Sequence, residues 1–108
     1  MNDTLAADQF AALGHANRVK VLRQLVQAGC CGLTVGELRE SLGVPASTFA
    51  HHLKALAQAG LVEQEKRGRE VVSKASYAAI RTLHGFLIKD CCKGVFTSPQ
   101  DNLLTQET

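Results

Sequence analysis

The chain has 108 residues, a formal net charge of +2, one tyrosine, four phenylalanines and no tryptophan. That is the size of one domain, with a core built mainly from Leu, Val, Ala and Ile, and a second copy would supply further burial. The opening "MNDTLAADQ" has no basic segment or apolar core of a signal peptide, and no apolar run reaches bilayer-spanning length, so a cytoplasmic protein with reduced thiols is expected.

Residues 4–13, "TLAADQFAAL", read as a short Ala/Leu-rich helix that Gly14 interrupts. From His15 to Ala28, Val19, Leu22, Leu25 and Val26 recur at three- and four-residue steps, an amphipathic helix with Arg18 and Arg23 off its apolar stripe and Gly29 at its stop. Thr34 and Glu37 form a T-x-x-E capping box, which starts a helix carrying Val35, Leu38 and Leu42 and ending at Gly43. Pro45 stands near the start of the next helix, whose apolar residues Phe49, Leu53 and Leu56 lead to Gly60. Two short helices joined by the tight "GVPA" turn have helix-turn-helix spacing. The second would present Ser47, Thr48, His51 and Lys54, small polar and cationic groups suited to phosphates and base edges.

Leu61-Val62 and Val71-Val72 flank "KRGRE", a hairpin with Gly68 at its tip and Lys66, Arg67 and Arg69 placed for a DNA backbone. Between residues 15 and 74, nine Lys and Arg face five Asp and Glu, a mild basic lean that suits a polyanion. Finally "YAAIRTLHGFLIKDCC" sets Tyr77, Ile80, Leu83, Leu87 and Cys91 on one helical stripe, with Gly94 as the stop. The expected fold is mainly α with a small β-hairpin, one domain over 1–94, followed by a polar flexible tail over 95–108 with possible contacts by Leu103-Leu104. No Gly-rich phosphate loop and no supported Ser/His/Asp arrangement is present, so an enzyme is not expected.

The stretches "ALGHANRVKVLRQL", "LTVGELRESLGVPASTFAHHLKALAQAGLV" and "RGREVV" together resemble the ArsR/SmtB family of winged-helix metalloregulatory repressors, over most of residues 10–94. The resemblance implies a homodimer joined through its first and last helices. It also implies two recognition helices in adjacent major grooves of a palindromic operator, and an inducer that weakens DNA binding. The family's cysteine site on the first helix of the helix-turn-helix has no counterpart in "LTVGELRES". Its Asp/His site on the last helix finds only His84 and Asp90.

What remains is Cys91-Cys92, which looks like the Cys-Cys pair of arsenic-responsive members, and these two residues are the expected arsenic(III) ligands. Those members commonly add a third cysteine, absent from "KGVFTSPQ". Inorganic arsenite wants three sulfurs and methylarsenite only two, so a two-cysteine site suits the methylated species. Cys30 and Cys31, a second adjacent couple, are possible additional thiol ligands. No resident cofactor is required; a trivalent arsenical acts as inducer. Neither couple reads as a disulfide, since neighbouring Cα atoms lie about 3.8 Å apart, below the usual range of roughly 4.4–6.8 Å.

The plainer readings stay open beside these. Cys91 on an apolar stripe can be a small buried hydrophobe, and Cys30-Cys31 a packing pair or an unselected one. His52 is expected to pack locally while His51 meets DNA. A thiol-based redox or reactive-sulfur repressor is the alternative function, and a DNA-free protein-interaction module is a third.

Overall fold

The computed structural model describes residues 1–94; the expected flexible tail 95–108, including Leu103-Leu104, lies outside the described residues. Five helices, α1 (Asp3–Leu13), α2 (Ala16–Ala28), α3 (Val35–Leu42), α4 (Ala46–Gln58) and α5 (Tyr77–Ile88), surround a sheet of three antiparallel strands. The strands are β1 (Leu33–Thr34), β2 (Val62–Arg67) and β3 (Glu70–Ala75), in the order β1-β3-β2. This is a winged helix-turn-helix. Among the described residues no helix is long and apolar enough to cross a membrane.

The local signals act where the sequence puts them. Thr34 Oγ1 accepts from the Glu37 N–H at 3.2 Å, and the Thr34 N–H donates to Glu37 Oε1 at 3.0 Å, so the capping box is complete. These bonds to Thr34 hold the Glu37 carboxyl below the usual carboxylate range. Gly43 ends α3 in the left-handed region (φ 66), and Pro45 caps α4. Phe49, Leu53 and Leu56 of α4 pack with Leu38 of α3, with Val21, Leu22 and Leu25 of α2, with Leu61 just before β2, and with Val62 and Ala75 of the sheet. Burial of this one cluster, rather than isolated helix propensity, holds elements this short. In β2 and β3, Arg67 pairs with Glu70 across a two-residue turn whose first residue is Gly68 (φ 63).

Four expectations change. The sheet has a third strand, because Leu33 and Thr34 pair with Ser73 and Val72. Such a two-residue strand has no alternation to betray it. In α2 the core face carries Val21 with Leu22 and Leu25, while Val19 and Val26 are exposed. The C-terminal cap of α4 is Ala59, one residue before the expected Gly60.

The last helix is shorter than expected. It stops at Ile88; Lys89 is extended (φ −55, ψ 137), and Asp90 (φ 63) and Cys92 (φ 65) are left-handed. The expected stripe does not survive that stop. Leu83 is buried, but Leu87 and Ile88 are 58% and 55% exposed, and Cys91 lies outside the helix. A single chain offers no core beneath the end of α5, so nothing holds further helical turns.

The turn before β1 is the tightest junction. Gly32 has φ 67, and a Cβ there would collide with the Ser73 carbonyl oxygen and come within 2.9 Å of Val72 and Lys74 side-chain carbons. Gly32→Ala is expected to lose about 1–3 kcal/mol from the backbone conformation alone, with the collision added. Gly43→Ala, at nearly the same φ with open space around it, should lose less. Urea unfolding of the two variants measures the difference; equal losses would contradict the close approach.

Candidate nucleic-acid interface and thiol sites

The helical period divides α4 cleanly. Phe49, His52, Leu53 and Leu56 are buried, and Ser47, Thr48, His51 and Lys54 are exposed. Ser47, His51 and Lys54 stand four and three residues apart and so form one ridge. A buried imidazole holds this helix in place. His52 is only 4% exposed, and its Nδ1 accepts a hydrogen bond from Arg18 Nε at 3.0 Å. The ring is therefore neutral with its proton on Nε2. Burial pushes its pKa down, and the charges of His15, Arg18 and His51 add to that. The His15 ring lies 4.3 Å from it, and His15 Nδ1 also caps α2 by accepting from the Asn17 N–H at 3.2 Å.

Arg18 does two jobs at once. Its Nη1 donates to the Ala12 carbonyl near the end of α1 at 3.3 Å. A second tie comes from Gln9 of α1, whose Nε2 donates to the Ala59 carbonyl at the end of α4 at 3.1 Å. So α1, α2 and α4 are joined by polar bonds as well as by packing. Nothing local in the sequence marks these roles of Arg18 and Gln9, because their partners lie 34 and 50 residues away.

The basic residues of the wing are divided between its faces. Successive strand residues alternate, which puts Lys66 with Gln64 and Val71. Gln64 and Val71 share a depression with Phe49, Leu53 and Lys54 of α4, so this face adjoins the recognition helix. Arg67 is on the other face, where its Nη2 meets Glu65 Oε2 at 3.2 Å and Lys74 Nζ lies 3.7 Å from the same oxygen. These contacts, Arg67 first, hold the Glu65 carboxyl below its usual range. An exposed pair of this kind contributes little to stability, so Arg67 is easily released from it. Arg69, at the turn, lines a recess with Thr34, Val35 and Gly36 at the start of α3.

Both cysteine couples are reduced and exposed. Cys91 Sγ and Cys92 Sγ are 3.4 Å apart in the turn after α5, where the Cys91 N–H donates to the Ile88 carbonyl at 3.0 Å. Cys91 is thus not a buried hydrophobe. Its pKa is raised by its hydrogen bond with Cys92 and by the charge there. Lys93 Nζ sits 2.8 Å from Asp90 Oδ1, so these neighbours largely cancel each other. Cys30 and Cys31, 3.9 Å apart, occupy a 3₁₀ turn (Gly29–Cys31) and are not packed into the core. Among the described residues no group of three or more His, Cys, Asp or Glu could hold a metal ion, so one chain does not bring the two couples together. His84 is exposed on α5, apart from any such group.

A family of helix-turn-helix domains matches residues 13–65. An uncharacterized HTH-type transcriptional regulator of Methanocaldococcus jannaschii, MJ1325, is 35% identical over 63 residues, covering 58% of this chain and 68% of that protein. The HTH-type transcriptional repressor SmtB of Mycobacterium tuberculosis is 37% identical over 67 residues; the match takes in 62% of this chain but only 47% of that repressor's length. Among solved structures, an ArsR-like transcriptional regulator from Rhodococcus sp. RHA1 superposes with a TM-score of 0.73 at 29% identity, over 96% of this chain and 90% of its own.

The buried His52 makes stability depend on pH. In the unfolded chain an imidazole takes a proton near the ordinary value of 6.5, whereas the folded pKa lies lower. The unfolded state therefore binds more protons as pH falls through that value, and stability is lost. The contribution is complete above the unfolded pKa and declines below it, toward the folded one. Thermal melts at pH 7.5 and 5.5 should show a lower midpoint at 5.5. His52→Asn, whose Oδ1 can still accept from Arg18, should reduce that drop; an unchanged drop would contradict the assignment.

Proposed function

The chain belongs to the ArsR/SmtB family of winged helix-turn-helix transcriptional regulators, and on that premise we propose that it is a homodimeric repressor released from its operator by a trivalent arsenical. A DNA-binding regulator of this kind is not an enzyme. Ser47, Thr48, His51 and Lys54 read the major groove, and Lys66, Arg67 and Arg69 hold phosphates. Two copies present two such helices to half-sites about 34–36 Å apart in a palindrome. The dimer forms through α1 and α5, whose Leu5, Phe10, Leu87 and Ile88 are 52%, 43%, 58% and 55% exposed in one chain.

One observation carries the inducer assignment: two exposed sulfurs 3.4 Å apart, directly after the apolar end of α5. Two thiolates bonded at about 2.3 Å to one soft ion, with a bent angle between the bonds, lie roughly 3.3–3.8 Å apart. Methylarsenite, CH3As(OH)2, exchanges its two hydroxyls for Cys91 and Cys92 Sγ, and the two thiol protons leave with them as two waters. No third cysteine is needed. The ring so formed sits beside Leu87 and Ile88, changes the turn at the dimer seam and alters the spacing of the two α4 helices. Because α4 is tied to α1 through Gln9 and Arg18, it follows such a shift as a rigid body.

Cys91→Ser should bind operator DNA normally yet need more than about a hundredfold more methylarsenite for release, because the second, intramolecular bond is lost. Normal release of this variant, followed by fluorescence anisotropy under reducing conditions, would refute the site. Arg67→Ala should weaken operator and random DNA alike and lower the salt slope by about 0.9, whereas His51→Ala should change base preference. Equal losses on both DNAs for both variants would contradict this division.

A further inference from the structure

We propose that Cys30 and Cys31 form a second, separate two-thiol site that takes one monosubstituted trivalent arsenical, R–As(OH)2, without help from Cys91 and Cys92. The inference stands independently of the role given to the latter pair.

The couple sits where the chain passes from α2 into the wing, and both sides of the turn are fixed. The Gly32 N–H donates to the Gly29 carbonyl at 3.2 Å, and these two glycines have φ of 67 and 75. Gly32 is pressed against β3 so closely that a Cβ would collide with the Ser73 carbonyl oxygen. Leu33 and Thr34 then pair directly with Ser73 and Val72. A turn anchored in this way keeps both sulfurs outside the core, exposed and 3.9 Å apart. That is just beyond the roughly 3.3–3.8 Å spacing of two thiolates on one soft ion, and small χ1 rotations bring them within it. Neither thiol has a packing role that ligand binding would disrupt.

The reaction balances within the pair. The Cys30 and Cys31 Sγ–H bonds and two As–OH bonds break, two As–S bonds form, and two waters leave; arsenic stays trivalent and no oxidant is needed.

One ligand cannot serve both couples of a chain. Tyr77, the first residue of α5, donates its hydroxyl to the Val26 carbonyl at 3.0 Å, which fixes the start of α5 near the end of α2. Cys91 and Cys92 follow the other end of α5, and twelve helical residues span about 18 Å. The absence of any larger His/Cys/Asp/Glu group among the described residues agrees with this separation. A ligand on Cys30-Cys31 therefore acts on the root of the wing, through Gly32 and β1, and not on the turn after α5.

Native mass spectrometry of the reduced full chain with phenylarsine oxide tests the proposal, in the presence of excess monothiol to strip single-sulfur adducts. The unaltered chain should retain two phenylarsenic groups per protomer. Cys91→Ser/Cys92→Ser should retain one, and the further substitution Cys30→Ser should abolish it. No retained group on Cys91→Ser/Cys92→Ser, with circular dichroism showing an intact fold, would overturn the second site. So would one group on the unaltered chain that either paired substitution abolishes, since that is the behaviour of a shared site. Loss of all binding in Cys30→Ser/Cys31→Ser, with one group kept by Cys91→Ser/Cys92→Ser, would instead remove the Cys91-Cys92 site and leave this one standing.

Discussion

The hydrogen bond from Arg18 to the buried imidazole of His52 fixes the recognition helix in its place. Phe49, Leu53 and Leu56 hold the thirteen-residue helix against the core, and the polar bond adds a directional constraint. The imidazole accepts at Nδ1, and a buried acceptor left unpaired costs about 1–3 kcal/mol, so the bond resists displacement of the ring even though its Nε2 has no partner among the described residues. Arg18 uses its other end on the carbonyl of Ala12, and Gln9 reaches Ala59. The surface of α4 proposed to meet DNA is thus tied to α1, a helix that exposes Leu5 and Phe10. In the proposed dimer this makes the spacing of the two DNA-reading surfaces a direct consequence of how α1 and α5 pair.

In the proposed mechanism, that coupling lets a small change after α5 reach the two α4 helices. The end of α5 has no core beneath it in one chain, and the backbone beyond it takes two left-handed non-glycine residues, Asp90 and Cys92. Such conformations cost about 1–3 kcal/mol each and persist only where surroundings impose them. In the proposed mechanism a two-sulfur ring closes at this left-handed turn. At the wing root the second couple sits on a turn braced by Gly32 and β3 instead. Two chemically equal pairs therefore differ in mechanical setting, one at a loose helix end and one at a fixed junction.

Much of this was legible in the residues themselves, and the pattern of successes and failures is physical. The Thr34/Glu37 box, the hairpin at Gly68 and the burial of Phe49, Leu53 and Leu56 are written in spacings of a few residues, and the chain obeys them. The exposure of Ser47, Thr48, His51 and Lys54 follows from the same period. What escaped depends on distant partners. β1 exists only because Ser73 and Val72 are available to pair with it. The early stop of α5 reflects missing support under Leu87 and Ile88, and Arg18 acquires its meaning only once His52 is beside it. Adjacent cysteines are plain in the sequence, but the exposure of their sulfurs, 3.4 Å and 3.9 Å apart, comes from the turns that carry them.

The most direct measurement compares inorganic arsenite with methylarsenite in parallel titrations of the reduced protein bound to palindromic DNA from its own promoter region. A site of two sulfurs satisfies the two open valences of methylarsenite and leaves inorganic arsenite one short. Release at clearly lower methylarsenite than arsenite is the predicted result. Release by arsenite at equal or lower concentration would contradict the two-sulfur site and require a third ligand.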